Sequence, residues 1–273
     1  MNKNTVKALV LTFDKYRCFT DHMIQRYEDL WPNHPFTFYV PFQNTPATDK
    51  TGKVIYVRSN PGIKDTVATL LKDLDGEEIV YWCIDDKYPI TLQTEIIEEL
   101  YDDVFKDSML DASGLLFSRR TSKMLSHKRS ASYCISVQGE PLVERDDYSQ
   151  IWIHQYIKVK ALEFLFESLP ENIESAKSMD ALKDKICKPV DHRLFATKRI
   201  YGTFGESTSR GEITRNCLKS MHSHQLLVPD WCIGQATNKD ILIGVTGMQR
   251  IHNLIKRWIP IKSPNAESLK MQK

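Results

Sequence analysis

Ile79–Ile84 (IVYWCI) decides the fold, and it runs directly into the acidic pair Asp85 and Asp86. A short, continuous apolar run that is rich in β-branched and aromatic residues is typical of a strand buried on both faces. Such strands belong to parallel sheets that are covered by helices on either side. The sequence therefore predicts an α/β fold in which two carboxylates follow a buried strand.

Short apolar runs and helical patterns alternate ahead of this strand. The predicted strands are Val6–Phe13, Phe36–Val40 and Val54–Val57, and the predicted helices are Asp21–Leu30, capped by Thr20, and Lys64–Leu74. Strands that alternate with helices predict βαβ units and a mostly parallel sheet flanked by helices. Right-handed crossovers bring the carboxyl ends of such strands to one edge, where ligands bind. Asp14 is therefore expected at the same site as Asp85 and Asp86.

The pattern is less regular beyond a helix predicted over Leu92–Phe105. The remaining expected elements are strands at Leu115–Phe117 and Tyr133–Val137, mixed strand and helix over Ile151–Phe166, and a helix over Glu212–Met221. We expect one domain over residues 1–247. An amphipathic helix and tail are expected over residues 248–273.

The overall charge gives no reason to expect a nucleic-acid partner. The 273 residues include 37 Lys and Arg and 35 Asp and Glu, so that the formal net charge is +2. Domains that bind nucleic acid usually have an isoelectric point above about 9. The six cysteines form no CxxC pair, the polar start is no signal peptide, and no apolar run approaches the roughly 18 residues of a membrane span. A cytoplasmic protein is therefore expected.

The acidic pair is the strongest candidate site. Two adjacent carboxylates after a buried strand repel each other and lose hydration unless a cation or hydrogen-bond donors compensate them. Mg²⁺ and Mn²⁺ typically take one or two protein carboxylates together with substrate phosphate oxygens. Asp85 and Asp86 are therefore predicted to be metal ligands. The alternative is an exposed helix cap, in which Asp86 caps a helix that begins near Thr91.

The residues around this pair resemble bacterial and viral-type glycosyltransferases of the GT-A fold. At the start of the chain the matching residues are Thr12, Asp14, Tyr16, Trp31, Pro32 and Pro35. Asp85 and Asp86 stand where these enzymes carry a metal-binding DxD-type motif. Ile84 replaces the first acidic residue of that motif, and Lys87 follows the pair.

Three later segments extend the resemblance. Gln150–Trp152 resembles an element on the acceptor side of these enzymes. Ser175–Asp180 resembles a Ser-Pro-Trp-x-x-Glu segment, with Asp180 at the acidic position and Lys177 in place of the tryptophan. Arg210–Ile213 resembles a helix start near the C-terminus of the family.

The resemblance implies a GT-A-like α/β fold with a C-terminal helical extension. Within the domain it implies a nucleotide-binding half at about 5–110 and an acceptor half at about 111–247. It implies a metal-dependent, hexosyltransferase-like enzyme that moves a sugar from a nucleotide-diphosphate sugar to a hydroxyl acceptor in glycan or polysaccharide synthesis. The implied cofactor is Mn²⁺ or Mg²⁺, held by Asp85 and Asp86. The residues implied in nucleotide binding are Thr12, Asp14, Tyr16 and Asp85.

Transfer with inversion also needs a carboxylate that accepts the proton of the acceptor hydroxyl. Asp180 is the base that the resemblance favours, and Asp146 and Asp147 are the other candidates. Each of the three could instead be an ordinary surface carboxylate. Thr12 and Asp14 are suited to hydrogen bonds with a nucleotide, but a plain polar turn would explain them equally well.

Two other functions are open at this point. One is a non-catalytic module of the same fold that binds nucleotide sugars. The other is a Mg²⁺-dependent phosphatase, which needs Asp-x-Asp directly after the first strand, where this chain has Asp14-Lys15-Tyr16. The acceptor could be a glycan or a lipid-linked molecule. The apolar face of Ile251–Ile259 could contact a membrane that carries it, although packing on its own domain is the commoner use of such a face.

Overall fold

The computed structural model describes residues 5–47, 52–106, 110–118, 133–135, 139–171, 173, 176–183, 185–232 and 240–245. Within these ranges, no helix is both long enough and apolar enough to cross a lipid bilayer. The expected C-terminal helical extension and its segment Ile251–Ile259 lie outside the described residues, so membrane contact there stays a prediction.

Strands and helices alternate in the first half of the chain and are mixed in the second. The strands are β1 (Val6–Leu11), β2 (Phe36–Phe42), β3 (Val54–Arg58), β4 (Ile79–Ile84), β5 (Lys87–Leu92), β6 (Gly114–Leu116), β7 (Tyr133–Ile135), β8 (Pro141–Arg145), β9 (Gln155–Lys158), β10 (Leu194–Thr197), β11 (Gly202–Glu206), β12 (Thr208–Ser209), β13 (Glu212–Ile213) and β14 (Leu242–Ile243). The helices are α1 (Arg17–Leu30), α2 (Ile63–Leu71), α3 (Thr94–Phe105), α4 (Val159–Glu167), α5 (Ala176–Lys183) and α6 (Arg215–Ser223).

The described residues form a nine-stranded main sheet in the order β3-β2-β1-β4-β9-β6-β10-β8-β7. β3, β2, β1 and β4 pair in parallel, as do β6 and β10. β9 runs antiparallel between β4 and β6, and β8 runs antiparallel beside β10. A smaller antiparallel sheet has the order β14-β11-β5. The predicted fold class is confirmed: the protein is α/β, with a largely parallel central sheet flanked by helices.

The central strands direct their side chains into two cores, one on each face of the sheet. Ala8 of β1 and Cys83 of β4 belong to the core that α1 and α3 cover. Their neighbours Leu9 and Trp82 belong to the core that α2 and α4 cover. Because both faces of β4 are buried, every position of IVYWCI is apolar.

The predicted cap of the first helix is wrong. Helix α1 begins at Arg17, directly after a short 3₁₀ turn at Asp14–Tyr16. Thr20 is therefore inside the helix, where it is fully buried and donates its hydroxyl hydrogen to the Thr12 oxygen at 2.9 Å. The prediction of a cap failed because the Thr20 hydroxyl bonds to Thr12, at the end of β1, and not to the backbone of its own helix.

The chain after Asp86 forms a strand, and this excludes the alternative in which Asp86 caps a helix near Thr91. β5 pairs with β11, and α3 begins only at Thr94. Pro89, which has no N–H group, is accommodated because β5 is an edge strand and pairs with β11 next to a register shift. The chain thus passes from the large sheet to the small one at Asp85 and Asp86, and this crossing places both carboxylates.

Candidate active site

A cleft of about 980 Å³ lies at the carboxyl edge of the main sheet. The ends of β1 and β4 and the start of β5 contribute to its lining, together with residues of the 149–153 segment, α5, β11 and β12. Charged side chains of both signs line it, namely the carboxylates Asp85, Asp86, Asp180 and Glu206 and the cations Lys87, Lys177, Lys183 and Arg210. The structure thus brings three of the predicted site carboxylates to one cleft.

Asp85 is held in place from the first strand. Its backbone N–H donates to the carbonyl of Leu11 at 3.3 Å, and its Oδ2 accepts the Thr12 hydroxyl at 2.7 Å. Thr20 donates in turn to the Thr12 oxygen. Burial, and then the neighbouring charge of Asp86, raises the pKa of Asp85 to about 7. Thr12 is fully buried and is absent from the cleft lining, so that in this structure it positions Asp85.

Asp86 forms an ion pair with the residue that follows it. The Lys87 Nζ lies 2.8 Å from Asp86 Oδ1 and 3.9 Å from an oxygen of Glu206. The Lys87 side chain is 8% exposed and that of Asp86 is 42% exposed. Burial alone lowers the pKa of Lys87, but the carboxylates of Asp86 and Glu206 outweigh it and hold this pKa above its usual value. A buried ammonium therefore lies beside the acidic pair.

Asp14 is placed at the edge of the site and does not line the cleft. Its carboxylate accepts the backbone N–H groups of Gln43, Asn44 and Thr45 at 3.1, 2.7 and 3.0 Å. Burial disfavours its charge, but these three bonds and the Arg17 guanidinium lower its pKa. Asp14 thereby ties the loop after β2 to the turn before α1. Nucleotide contact by Thr12 and Asp14 stays a prediction.

Tyr16 does line the cleft, and it belongs to an aromatic wall. Its ring meets that of Trp231 edge-on, with centroids 5.7 Å apart. Trp231 also meets Phe19 edge-on at 5.9 Å, and the Lys15 Nζ lies 4.9 Å from the Trp231 ring centroid. Aromatic rings of this kind are suited to stacking on a nucleobase.

Asp180 also lines the cleft, from α5. Its Oδ1 accepts the indole N–H of Trp152 at 2.5 Å and lies 3.1 Å from the Lys183 Nζ. The Asp180 side chain is 56% exposed. The two segments that the resemblance assigned to the acceptor side, at 150–152 and at 175–180, therefore meet in the fold through this bond between Trp152 and Asp180.

The other candidates for the base do not line the cleft. Asp146 and Asp147 are absent from its lining. An oxygen of Asp147 accepts the backbone N–H of Ser149 at 2.9 Å, as in a local turn. Of the three carboxylates considered for the base, Asp180 alone shares the cleft with Asp85 and Asp86.

Several residues of the cleft were not assigned from the sequence. Lys87 was noted only as a departure from the family pattern, and its position directly after the acidic pair was the available signal. Glu206 ends β11, and Arg210 lies at the tip of the hairpin between β12 and β13 with a φ of 55°. Arg210 and Gly211 both have positive φ and form the turn of that hairpin, so the helix start that the resemblance placed at Arg210–Ile213 is wrong, and the helix begins at Arg215.

Asp85 and Asp86 are the residues that would hold a divalent cation. Across the described ranges, no three or more His, Cys, Asp or Glu side chains are grouped so that they could hold a metal. Mg²⁺ often takes one or two protein carboxylates and completes its shell with water and substrate phosphate. The pair fits a cation of that kind, which binds together with a phosphorylated ligand, because Lys87 occupies only Oδ1 of Asp86.

The structure shows an α/β protein with a cleft at the carboxyl edge of its sheet. No protein-family model matches the chain, and no curated protein matches its sequence. Among solved structures it is similar to the galactosyltransferase LgtC in complex with donor and acceptor sugar analogs (11% identity, TM-score 0.36, 79% of this chain and 78% of LgtC covered).

It is also similar to the apo-form glycosyltransferase GlyE of Streptococcus pneumoniae TIGR4 (10% identity, TM-score 0.36, 65% of this chain and 42% of GlyE). A third similar structure is that of residues 1–349 of TarS from S. aureus (13% identity, TM-score 0.41, 72% and 59% covered). LgtC and GlyE are named as sugar transferases, which is the class of enzyme that the sequence resembles. Because the TM-scores are below 0.5, function has to be argued from the residues of the cleft.

Proposed function

We propose that this protein is a glycosyltransferase that moves a sugar from a nucleotide-diphosphate sugar to a hydroxyl acceptor, in glycan or polysaccharide synthesis. One observation carries the proposal. Asp85 and Asp86 follow the central strand β4 and line a cleft of about 980 Å³. Ligands of open α/β sheets bind at this edge, and small-molecule pockets usually measure about 300–1,000 Å³.

The donor side of the cleft lies around β1 and β4. Tyr16 lines the cleft, and its ring, which Trp231 meets edge-on, offers a surface on which the base of the nucleotide can stack. The diphosphate would then lie near Asp85 and Asp86. The Thr12 hydroxyl fixes the orientation of Asp85, so that this carboxylate needs little rearrangement when the donor binds.

Mn²⁺ or Mg²⁺ is the proposed cofactor, with Asp85 and Asp86 as its protein ligands. When bound, such a cation supplies positive charge to the leaving diphosphate. Asp85 Oδ2 is occupied by the Thr12 hydroxyl, whereas the Asp86 side chain is 42% exposed. Asp86 is therefore the carboxylate that a cation approaching from the cleft meets.

The acceptor side of the cleft lies around α5 and Trp152. Asp180 is the proposed base, and the acceptor is a glycan or a lipid-linked molecule. Trp152 and Lys183 both approach Asp180 Oδ1, and within the described residues no hydrogen bond is made to Oδ2. The acceptor hydroxyl would give its proton to Oδ2 as its oxygen attacks the sugar. The donors on Oδ1 meanwhile keep the carboxylate from rotating away.

The placement of Asp14 argues against the phosphatase. A nucleophilic aspartate has to reach the phosphoryl group of the substrate, whereas the Asp14 carboxylate is bound by three backbone N–H groups and lies outside the cleft lining. The non-catalytic module shares the donor site of the proposed enzyme. It differs in that it would bind a nucleotide sugar without cleaving it.

A donor screen tests the proposal. The protein is incubated with UDP-, GDP- and dTDP-sugars and Mn²⁺, and thermal stability and release of nucleoside diphosphate are measured. We expect one donor to stabilise the fold, by about 2.7 kcal/mol when it is present at 100 times its dissociation constant. We also expect slow hydrolysis of that donor, which Asp86→Asn abolishes. Stabilisation without hydrolysis supports the module, and neither effect with any donor refutes the proposal.

A further inference from the structure

We infer that Lys87 is a phosphate-binding residue, which supplies from within the chain part of the positive charge that the donor diphosphate requires. This inference rests on the proposed function and specifies how its donor site works. Lys87 lies at the start of β5, directly after the acidic pair, and it lines the cleft. Its position beside Asp85 and Asp86 brings an ammonium to the place where the diphosphate is expected.

The geometry of Lys87 leaves part of its hydrogen-bonding capacity for a ligand. An ammonium has three N–H donors. In the described part of the chain, its Nζ makes one hydrogen bond, to Asp86 Oδ1 at 2.8 Å. Glu206 lies 3.9 Å away, which is close enough for an ion pair but too long for a hydrogen bond. Two donors of Lys87 can therefore turn to phosphate oxygens.

The fold fixes this ammonium in place. The Lys87 side chain is 8% exposed, and Lys87 pairs with Glu206 in the register between β5 and β11. Burial restricts the rotamers of a long side chain, so that the entropy of ordering it has been lost before a ligand binds. An ordered charge in a partly buried site also interacts with phosphate more strongly than an exposed lysine does.

The charges next to the acidic pair favour such a residue. Asp85, Asp86 and Glu206 all lie around the place proposed for the diphosphate, and three carboxylates oppose the binding of a further anion. Lys87 is the cation in contact with two of them. A divalent cation and Lys87 would then share Asp86, and each would face the diphosphate.

Binding of nucleoside diphosphates in excess EDTA tests the inference. UDP, GDP and dTDP are titrated into the full chain by calorimetry, and the tightest is compared across variants. Lys87→Met removes the charge, and Lys87→Arg restores it. Lys158→Met is the matched control, because Lys158 is also largely buried and pairs with two carboxylates, Glu77 and Asp111. Lys158 lies beside the first residue of β4, at the opposite end of this strand from the acidic pair.

We expect the wild-type protein to bind the diphosphate without metal. Loss of one charge-assisted contact should weaken that binding by about 10- to 100-fold in Lys87→Met. Lys87→Arg and Lys158→Met should stay close to wild type, and the matching nucleoside should bind wild type and Lys87→Met alike. If Lys87→Met does not fold, Lys87→Gln takes its place with the same expectation.

Equal affinity of wild type and Lys87→Met in EDTA overturns the inference. So does binding to wild type that appears only when Mn²⁺ is added. Both results leave the proposed function standing, with the metal as the carrier of the charge. Failure of every nucleoside diphosphate to bind, with EDTA and with Mn²⁺ alike, refutes the proposed function itself.

Discussion

Two carboxylate sites line the same cleft, and they are built differently. The floor site consists of Thr12, Asp85 and Asp86, at the ends of β1 and β4. The rim site consists of Trp152, Asp180 and Lys183. Asp85 is held by a buried hydroxyl and a backbone bond to the neighbouring strand, whereas Asp180 lies on the eight-residue helix α5 with its side chain 56% exposed.

The proposed function gives the two sites separate tasks, and the difference in their construction fits these tasks. Groups on central strands are positioned more accurately than groups on short peripheral elements, because the sheet restricts their motion. The floor site is therefore suited to the donor, whose diphosphate has to be held in one orientation. The rim site is suited to an acceptor that approaches from solvent. Changes at the floor should accordingly affect binding and turnover together, and changes at the rim should affect transfer alone.

The largest effect is expected at the floor, from Asp86→Asn. Loss of this charge removes the exposed ligand of the proposed cation, and stabilisation of a leaving diphosphate by a metal is worth several kcal/mol. Turnover should fall by at least about 10³-fold, because each 1.36 kcal/mol is a factor of ten. The increase in nucleoside diphosphate affinity on addition of Mn²⁺ should also vanish, as calorimetry would show.

Asp111→Asn is the control for Asp86→Asn. Asp111 also pairs with a buried lysine, Lys158, at 3.1 Å, but away from the cleft. The substitution Asp111→Asn should leave Mn²⁺-dependent binding and turnover as in wild type. If Asp86→Asn keeps its response to Mn²⁺, Asp86 is not a metal ligand.

The next effect is expected at the rim, from Asp180→Asn. General-base help is typically worth about 10²–10⁴-fold, so transfer should fall by about that factor. Donor affinity should barely change, since the substitution is nearly isosteric and Asp180 lies on α5, whereas the acidic pair follows β4. Transfer rates with saturating donor measure the first quantity, and calorimetry with the nucleoside diphosphate measures the second.

Asp146→Asn and Asp147→Asn are the internal controls and should keep most of the activity. Wild-type transfer by Asp180→Asn, together with loss of activity in either control, would show that the base is misassigned. Full activity in all three variants would favour a retaining mechanism that does not use this base.

The acidic pair of the floor site could be predicted from the sequence, because a recognisable strand directly precedes it. The apolar run at Ile79–Ile84 defines a buried strand, and Asp85 and Asp86 follow it without a gap. The strand was predicted with its observed bounds. Local pattern could not predict strand β5, which follows the pair. β5 pairs with β11, and β11 lies more than 100 residues further along the chain.

The contacts inside the site were also beyond local rules. Threonine is a residue type that often caps helices, but the Thr20 hydroxyl donates its hydrogen to the Thr12 oxygen instead. Trp152 and Asp180 lie in segments that were each noted separately, and only the fold shows that they form a hydrogen bond. Residue types at strand ends thus indicate where a site lies, whereas the pairing within it depends on contacts that are distant in sequence.

A third prediction concerns the support of the floor. His154 lies under the end of β4, where its Nε2–H donates to the Ile84 carbonyl at 3.0 Å. Its Nδ1 therefore accepts the hydroxyl of Tyr27 at 2.8 Å, and protonation would break that bond. Burial lowers the pKa of His154 to about 4.

The unfolded chain takes up this proton near pH 6.5 and the folded chain only near pH 4, so stability should fall as the pH falls between these values. The loss attributable to His154 between pH 6.5 and pH 5 is about 2 kcal/mol. Urea unfolding of wild type and His154→Gln at both pH values measures it as the difference in their pH dependence. His222→Gln, on the exposed side of α6, should behave as wild type, and equal slopes for His154→Gln and wild type would contradict the prediction.

The fourth prediction compares the two hydroxyls behind the floor. Thr12→Val leaves Asp85 Oδ2 without its donor and should cost about 1–3 kcal/mol of stability. Thr20→Val leaves the bond between Thr12 and Asp85 intact and should cost about 1 kcal/mol. Nucleoside diphosphate affinity should fall in Thr12→Val only. If both variants bind the nucleotide equally well, Thr12 contributes to the fold and not to the site.

The smallest effect is expected from Trp152→Phe, which removes a hydrogen-bond donor from Asp180 as Thr12→Val removes one from Asp85. At the rim the loss should be milder, because Lys183 still holds Asp180 Oδ1 at 3.1 Å and water can reach an acid that is 56% exposed. A hydrogen bond is worth a net 0.5–1.5 kcal/mol, so transfer should fall by about 2- to 10-fold. Donor affinity and the urea midpoint should hardly move, since phenylalanine keeps much of the packing of the indole. A loss as large as that in Asp180→Asn would mean that the rim is as rigidly built as the floor and that the indole bond is what makes it so. Unchanged transfer would mean that Lys183 alone orients the base.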